Sequence, residues 1–315
     1  MFAFAQGWMS DSKRFWKDSA SALSAVILWG LAFPLIQIGL EDFSPIMLGF
    51  LRFVLASAFL MAFVLITYPM REVVSTIRNE WRPLLALGIL YVTIPNIAQN
   101  IGLEHGTSSI ASVIQSSGPV MTLVFAVLLL KEALTRKKAV GTLIAMAGTI
   151  LLVASGVLSL DDANFVSNIL ILVSATSYGL AWVSAKRMLE RNRPMLIISI
   201  SLVIGTLFLG LVVPFEAGSE SVMTSSSLLN LSVLGLLCAG ASSVLYLRSL
   251  EHEEVSRMAF LIYLMPVFAS AFAWILRGEE VALWTVFCGL IIVVGIAVAN
   301  KNGSMHENEA VTGSS

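Results

Sequence analysis

Long apolar segments follow one another along the whole chain, and they constrain its fold more than any other feature. Each has about 20 residues, enough to cross the hydrocarbon core of a bilayer as a helix. Of the 315 residues, 57% are hydrophobic and 12% are charged, against roughly 25% charged in soluble domains. The gaps are nearly all short and polar. The sequence therefore predicts an all-α integral membrane protein with ten transmembrane helices, at residues 20–40, 45–68, 83–103, 107–130, 138–157, 166–185, 195–215, 228–249, 255–276 and 281–300.

The charged residues outside these segments fall into two alternating sets of loops. Basic residues collect before segment 1 and after segments 2, 4, 6 and 8, at Lys13, Arg14, Lys17, Arg71, Arg78, Arg82, Lys131, Arg136, Lys137, Lys138, Lys186, Arg187, Arg191, Arg193, Arg248 and Arg257. The other loops are acidic, with Arg277 as their only basic residue. Basic loops stay in the cytoplasm. This alternation predicts a multi-pass protein of the cell membrane with both termini in the cytoplasm.

The chain also repeats itself with an offset of 147 residues, which is the distance from Pro119 to Pro266. In the same ungapped register, the Leu-Glu-His at residues 103–105 recurs at residues 250–252. Apolar helices match by chance at many Leu and Ile positions, but shared Glu, His and Pro positions are harder to obtain by chance. The repeat indicates that the chain has two related halves.

The two halves are predicted to be residues 1–160 and 161–301, each with five helices, followed by a disordered cytoplasmic tail at residues 302–315. Because five is odd, the second half crosses the membrane upside down relative to the first. Inverted repeats give carriers two alternating openings around a site near the membrane midplane. The pattern therefore favours a carrier.

Several stretches carry a resemblance to a known family. SSIASVIQSSGPVMTLVFAVLLLKEALTRKKAVGTLIAMAGTILL has a small-residue helix start, a mid-helix Pro, a Glu, a basic turn and a glycine-bearing helix, and MAFLIYLMPVFASAFAWILRGEEVALWTVFCGLIIVVGIAVA repeats it. With WGLAFPLIQIGL and PIMLGFLRFVLA, the sequence resembles the EamA-type branch of the drug/metabolite transporter (DMT) superfamily. The resemblance implies ten helices, two inverted repeats, a central cavity and transport of small metabolites, often amino acids and often outward. Val183 stands where the first half has Pro34, so the halves are unequal.

Aromatic side chains repeat at equivalent places in segments 1 and 6. Trp29 and Phe33 lie one helical turn apart, and Tyr178 and Trp182 are their counterparts in the second half. Two related aromatic faces suggest the walls of a substrate cavity, because small-molecule sites are mostly apolar with a few polar groups. Ordinary helix packing is the alternative.

Polar residues inside the segments are further candidates for the cavity. Arg52 is interpreted either as the ligand of an anionic substrate group or as a snorkelling or structurally paired arginine. In segment 3, the amides share one face and must find partners in protein or in a water-filled cavity; hydrogen bonds between helices are the alternative. The candidates in addition to Arg52 are Tyr91, Asn96, Gln99 and Asn100, then Gln115, Tyr246 and Tyr263.

Proline interrupts four segments, at Pro34, Pro95, Pro119 and Pro266. Proline removes a helical hydrogen bond and bends the helix. These residues are interpreted as hinges of alternating access or as static kinks that shape the cavity.

All 20 Asp and Glu residues fall in loops or near segment ends. An intramembrane carboxylate is the usual carrier of a coupling ion, so facilitated diffusion or substrate exchange is favoured. No motif of a hydrolase or metal enzyme is present, so an intramembrane enzyme is the least favoured alternative; a non-gated pore is the other alternative. The sequence predicts a small-molecule substrate and the lipid bilayer as partners, no nucleic acid, no metal or cofactor, and a monomer or a dimer.

Overall fold

The computed structural model describes residues 2–104, 108–115, 117–154, 162–216, 223–278 and 283–300. Within these ranges the regular structure is helical, and no strand occurs among them. The helical stretches are α1 (Phe2–Gly39), α2 (Pro45–Thr67), α3 (Met70–Glu104), α4 (Ser108–Gln115), α5 (Gly118–Leu130), α6 (Arg136–Ala154), α7 (Asp162–Leu189), α8 (Pro194–Phe215), α9 (Ser225–Ser249), α10 (Val255–Arg277) and α11 (Leu283–Asn300).

Seven stretches of the described chain are long and apolar enough to cross a membrane. They are Phe15–Gly39 in α1, Phe165–Leu189 in α7, and the whole of α2, α3, α8, α9 and α10. This confirms the prediction of an all-helical, multi-pass membrane protein. The predicted segments at 107–130, 138–157 and 281–300 correspond to α4 with α5, to α6 and to α11. Two of these stretches contain shorter apolar helices, Gly118–Leu130 and Leu290–Ala299, and the count of ten membrane-spanning helices stays a prediction.

Close packing between the two halves follows the sequence repeat. A Cβ atom added to Gly30 of α1 would lie 2.7 Å from Phe268 Cβ of α10, and one added to Gly179 of α7 would lie 3.1 Å from Thr122 N of α5. With an offset of 149 residues, Gly179 is the counterpart of Gly30. Only a residue without a side chain lets the helices approach so closely.

A second pair of glycines repeats this arrangement with the 147-residue offset. A Cβ atom on Gly88 of α3 would lie 2.8 Å from the carbonyl oxygen of Ser201 in α8, and one on Gly235 of α9 would lie 2.8 Å from the carbonyl oxygen of Arg52 in α2. Each half therefore packs its own glycine-bearing helix against the other half.

The same pair of helices shares an irregularity. In α3, residues Ile89–Thr93 form a π-helical turn, and in α9 residues Val233–Ala241 do so. Adding 147 to 89 and 93 gives 236 and 240, inside the second π-helical stretch. A π-helical turn widens the helix and frees backbone groups, and such turns often occur at functional sites.

One end of the molecule gathers the loops that are rich in Lys and Arg. The Lys186 ammonium group donates hydrogen bonds to the carbonyl oxygens of Leu250 and, at 2.8 Å, of Glu253. Nearby, His252 Nδ1 lies 3.4 Å from Asp18 Oδ2 near the start of the first candidate span. The N-terminal part of the chain and the loops after α7 and α9 therefore lie at the same end, which we call the basic end.

The loops that are poor in basic residues lie at the opposite end of the molecule. The Glu216 carboxylate accepts hydrogen bonds from the backbone N–H groups of Ile46 at 2.7 Å and Met47 at 3.0 Å, at the start of α2. Arg277 Nη1 lies 3.4 Å from Glu41 Oε1. A carboxylate at a helix N-terminus satisfies backbone donors that have no partner within the helix. The Glu216 contacts fix how the end of α8 meets the start of α2.

The gap between predicted segments 2 and 3 is helical rather than a short polar loop. Helical geometry breaks at Glu80, whose φ and ψ are −117° and 19°, so the preceding residues form a separate first part of α3. Val74 and Ile77 are exposed in this first part and lie about one turn apart, and Trp81, directly after the break, is exposed as well. Basic residues flank them in sequence. This pattern is typical of a helix that lies in the membrane interface.

Candidate functional site

A cavity of about 60 Å³ lies between the halves. The walls come from α1, α2, α3, α4, α5, α7 and α10. The structure brings eight of the predicted residues to this cavity: Trp29, Phe33, Arg52, Tyr91, Gln99, Gln115, Tyr178 and Trp182. Both halves contribute, as expected for a site between two repeats.

An aromatic cluster forms one wall of the cavity. Trp182 is 2% exposed and lies at its centre. Its ring centroid is 4.6 Å from that of Tyr91, 4.7 Å from that of Tyr246 and 5.7 Å from that of Trp29. Tyr178 adds an edge-on contact to Tyr91 at 5.5 Å. These separations are typical of favourable aromatic pairs, and the cluster gives the cavity a rigid apolar surface.

The cluster is fixed by a hydrogen bond between the halves. The Tyr91 hydroxyl of α3 and the Ser243 hydroxyl of α9 are 2.5 Å apart. Tyr246 lies behind Trp29 and Trp182, one turn before Leu250, whose carbonyl group binds Lys186 at the basic end. The cluster therefore separates the cavity from the basic end.

Four predicted site residues do not line the cavity. Asn96 Nδ2 donates to the Val92 carbonyl oxygen in its own helix at 2.7 Å, and Asn100 Nδ2 donates to the Pro45 carbonyl oxygen of α2 at 2.8 Å. Asn100 thus forms a hydrogen bond between helices, which was the alternative to a place in the cavity. Tyr246 lies behind the cluster, and Tyr263 packs in a second apolar cluster with Phe260, Ala145, Ile292 and Ala299.

Other residues reach the cavity without having been predicted to do so. They are Ala32, Phe53, Gly118, Thr122, Ala175, Gly179, Ile262 and Met265. Gly179 carried a sequence signal, because it repeats Gly30. The apolar residues carried none, because a cavity wall and a packed core require the same residue types.

Arg52 supplies the cavity with a positive charge. Its side chain is 5% exposed, and its guanidinium carbon lies 5.3 Å from the centre of the Phe53 ring. Its Nη2 atom lies 3.5 Å from the Cys238 carbonyl oxygen, which is long for a hydrogen bond. Its Nε atom has no protein partner. No ion pair among the described residues includes Arg52, and no carboxylate is part of the described cavity wall.

The four prolines occupy distinct places. Pro34 lies within α1 and Pro95 follows the π-helical turn of α3. Pro119 is the second residue of α5, and Pro266 is the second residue after a 3₁₀-helical stretch at Phe260–Leu264 in α10. Three of the prolines therefore coincide with a change in helix type or with a helix start. Whether any of them is a hinge stays a prediction.

Known proteins show what kind of molecule this is. The model of the EamA-like transporter family matches residues 19–154 and again residues 166–301. Two proteins of Archaeoglobus fulgidus, both named uncharacterized transporter, are 26% and 27% identical over 276 and 280 residues, which cover 86% and 87% of this chain and 93% and 95% of theirs. A probable terminal-alkyne amino-acid exporter of Streptantibioticus cattleyicolor is 23% identical over 306 residues, 96% of this chain and 99% of its own.

A solved crystal structure has the same fold. It is 20% identical, superposes with a TM-score of 0.75, and the match covers 90% of this chain and 96% of the other. The family and the named relatives are transporters and not enzymes, in agreement with the lack of catalytic motifs in the sequence. The chain therefore belongs to the EamA-like transporter family and is a multi-pass membrane transporter.

Proposed function

We propose that the protein is a carrier that moves small metabolites across the cell membrane by alternating access around the central cavity. The observation that carries this proposal is the cavity itself, because it lies between two sequence repeats and takes wall residues from both. In this proposal ten helices form two inverted halves. The basic end faces the cytoplasm with both termini, following the charge rule for membrane loops.

A gated carrier is favoured over a non-gated pore. The aromatic cluster around Trp182 lies between the cavity and the basic end, where Lys186 also ties α7 to the loop after α9. A cavity that is closed at one end must rearrange before a bound molecule can leave through that end. The paired glycine contacts give the two halves equivalent surfaces on which to rock.

Amino acids or related compounds are the proposed substrates, and export is the proposed direction. The cavity combines aromatic walls with the amides of Gln99 and Gln115, which suits a small molecule with an apolar body and polar groups. A relative named as a probable amino-acid exporter covers almost the whole chain. With no carboxylate in the described wall, we propose facilitated diffusion or exchange rather than ion coupling.

Efflux from proteoliposomes tests this function. Vesicles that contain the purified protein are loaded with amino acids, nucleosides and sugar phosphates, and the internal pool is followed by mass spectrometry with and without a proton gradient. Saturable loss of a few compounds is expected. Indiscriminate loss would indicate a pore, and loss that requires the gradient would overturn the proposal of uncoupled transport.

A pair of matched variants links the transport to the cavity. Ala32→Leu adds bulk to the cavity wall, whereas Ala147→Leu adds the same bulk to an exposed position of α6. We expect Ala32→Leu to slow efflux severalfold while Ala147→Leu leaves it unchanged. Equal efflux in the two variants would show that the substrate takes another path.

A further inference from the structure

We propose that Arg52 binds the carboxylate of the transported substrate while Gln115 accepts a hydrogen bond from a donor on the same molecule. This inference rests on the proposed carrier function and adds a rule of selectivity to it. Compounds that carry both a carboxylate and a donor, such as α-amino acids with a large apolar side chain, are preferred. Organic cations without a carboxylate are excluded.

The first argument is the unpaired charge of Arg52. Arg52 is only 5% exposed. A buried guanidinium group without an anionic partner is strongly unfavourable. Among the residues that the structure describes, Arg52 forms no ion pair; its guanidinium group lies over the Phe53 ring and has a 3.5 Å contact with the Cys238 carbonyl oxygen. Neither contact supplies a negative charge. A substrate carboxylate in the cavity would supply it.

The second argument is the shape of the vacant hydrogen-bonding edge. Nε and Nη2 lie on one edge of the guanidinium plane, and this edge can donate two parallel hydrogen bonds to one carboxylate. In Arg52 the Nε atom has no partner and the Nη2 atom has only the long contact to Cys238. The edge that recognises carboxylates best is thus the edge with unused capacity.

The third argument is an unused acceptor on the same wall. Gln115 of α4 is 6% exposed, and its Oε1 atom has no partner. A buried carbonyl oxygen without a donor is unfavourable unless a ligand supplies one. An ammonium or hydroxyl group of the substrate can donate to it. Arg52 and Gln115 both line the cavity, so one small molecule can satisfy both residues.

The aromatic wall is the proposed contact surface for the apolar part of the substrate. Trp29, Tyr178 and Trp182 offer apolar surface to a side chain, and their ring faces also attract an ammonium group. The described wall holds one fixed positive charge and no negative one. A molecule that is only a cation would therefore meet repulsion from Arg52 without compensation.

Three probes with a common phenyl body test this rule. Phenylalanine carries a carboxylate and an ammonium group, 3-phenylpropionate keeps only the carboxylate, and phenethylamine keeps only the ammonium group. Leucine, 4-methylpentanoate and isoamylamine form a second such series. In proteoliposome efflux at neutral pH, we expect the amino acid of a series to be fastest and its amine to be slower by about tenfold or more.

Variants separate a substrate ligand from a structural arginine. Arg52→Gln should slow efflux of the amino acid by about tenfold or more and bring amino acid and amine to similar rates, because it removes the charge. Arg52→Lys keeps the charge and should retain part of the discrimination. Gln115→Leu should reduce the advantage of phenylalanine over 3-phenylpropionate, which lacks the donor.

The outcomes also distinguish this inference from the proposed function. If the wild-type protein transports nothing from the wider mixture, the proposed function fails and the inference fails with it. If it transports the amines as fast as the amino acids, the inference alone is overturned. If it transports only uncharged nucleosides, the inference and the proposed substrates are overturned, but the proposed carrier is not. If Arg52→Gln does not fold, the relative efflux rates of amino acid, acid and amine in the wild type and in Gln115→Leu still test the inference.

Discussion

The Glu132 carboxylate accepts a hydrogen bond of 2.9 Å from the backbone N–H of Val255, which lies 123 residues further along the chain. It also accepts hydrogen bonds from the backbone N–H and the hydroxyl group of Ser256. Lys138 completes this network, with its Nζ atom 2.9 Å from Ser256 Oγ and 3.8 Å from Glu132 Oε2. Glu132, two residues after the end of α5, thus caps the first turn of α10 at the basic end.

We expect Glu132→Gln to lower stability, because an amide replaces a carboxylate that accepts several hydrogen bonds. Hydrogen bonds to charged groups contribute about 1.5–3 kcal/mol each, so a loss of about 2 kcal/mol is expected. Thermal unfolding in detergent measures it. Glu72→Gln is the matched control, since the Glu72 and Arg193 side chains are 35% and 63% exposed and pairs of this kind contribute about 0–1 kcal/mol. Equal losses would mean that the cap is unimportant.

Tyr91→Phe should destabilise the protein, because it removes the hydroxyl group that bonds to Ser243 across the two halves. A loss of about 1 kcal/mol is expected from a single neutral hydrogen bond. Tyr263→Phe is the matched control, since the Tyr263 hydroxyl is buried without a partner in the described protein. That variant should be as stable as the wild type or more so. The unfolding midpoints of both variants are compared in the same detergent. A lower midpoint for Tyr263→Phe than for Tyr91→Phe would contradict the prediction.

Gly141→Ala should destabilise the packing of α6 on α11. The new Cβ atom would lie 2.5 Å from Ala299 N and 2.6 Å from the Gly295 carbonyl oxygen, both of them backbone atoms. Helices cannot yield to such a contact without separating, and overpacking of this kind costs about 1–3 kcal/mol. Gly118→Ala serves as the control, because its new Cβ atom would come no closer than 3.4 Å to its neighbours. The midpoint temperature of thermal unfolding should fall in Gly141→Ala and stay unchanged in Gly118→Ala.

Much of the cavity followed from the sequence because helical periodicity and the repeat act together. Trp29 and Phe33 lie one turn apart, and their counterparts Tyr178 and Trp182 come to the same cavity. One such pair of aromatic residues could equally well face lipid or pack in the protein core. Their repetition in two related halves predicts that they meet in one site.

The amides of segment 3 show where this reasoning fails. Successive residues of a helix are about 100° apart, so the face that holds Asn96, Gln99 and Asn100 is broad, and the cavity meets only the edge with Gln99. The Glu132 cap was equally inaccessible to sequence reasoning. It depends on which loop meets which helix start, and a contact over 123 residues is decided by packing.

Gln115→Glu should reverse the preference of the carrier for charged substrates. The substitution keeps nearly the same size and adds a carboxylate to a wall in which Arg52 carries the one fixed charge among the described residues. A carboxylate there offsets the field of Arg52 and repels the substrate carboxylate. Efflux of phenylalanine should fall by about tenfold, and efflux of phenethylamine should rise.

Gln115→Leu separates the effect of charge from the loss of the amide. It removes the same acceptor without adding a carboxylate, so it should slow phenylalanine and should not speed up phenethylamine, whose ammonium group loses the same acceptor. The ratio of the two rates in each variant is the quantity to measure. If Gln115→Glu and Gln115→Leu give the same ratio, the electrostatic field of the cavity does not select the substrate, and Arg52 acts only as a structural residue.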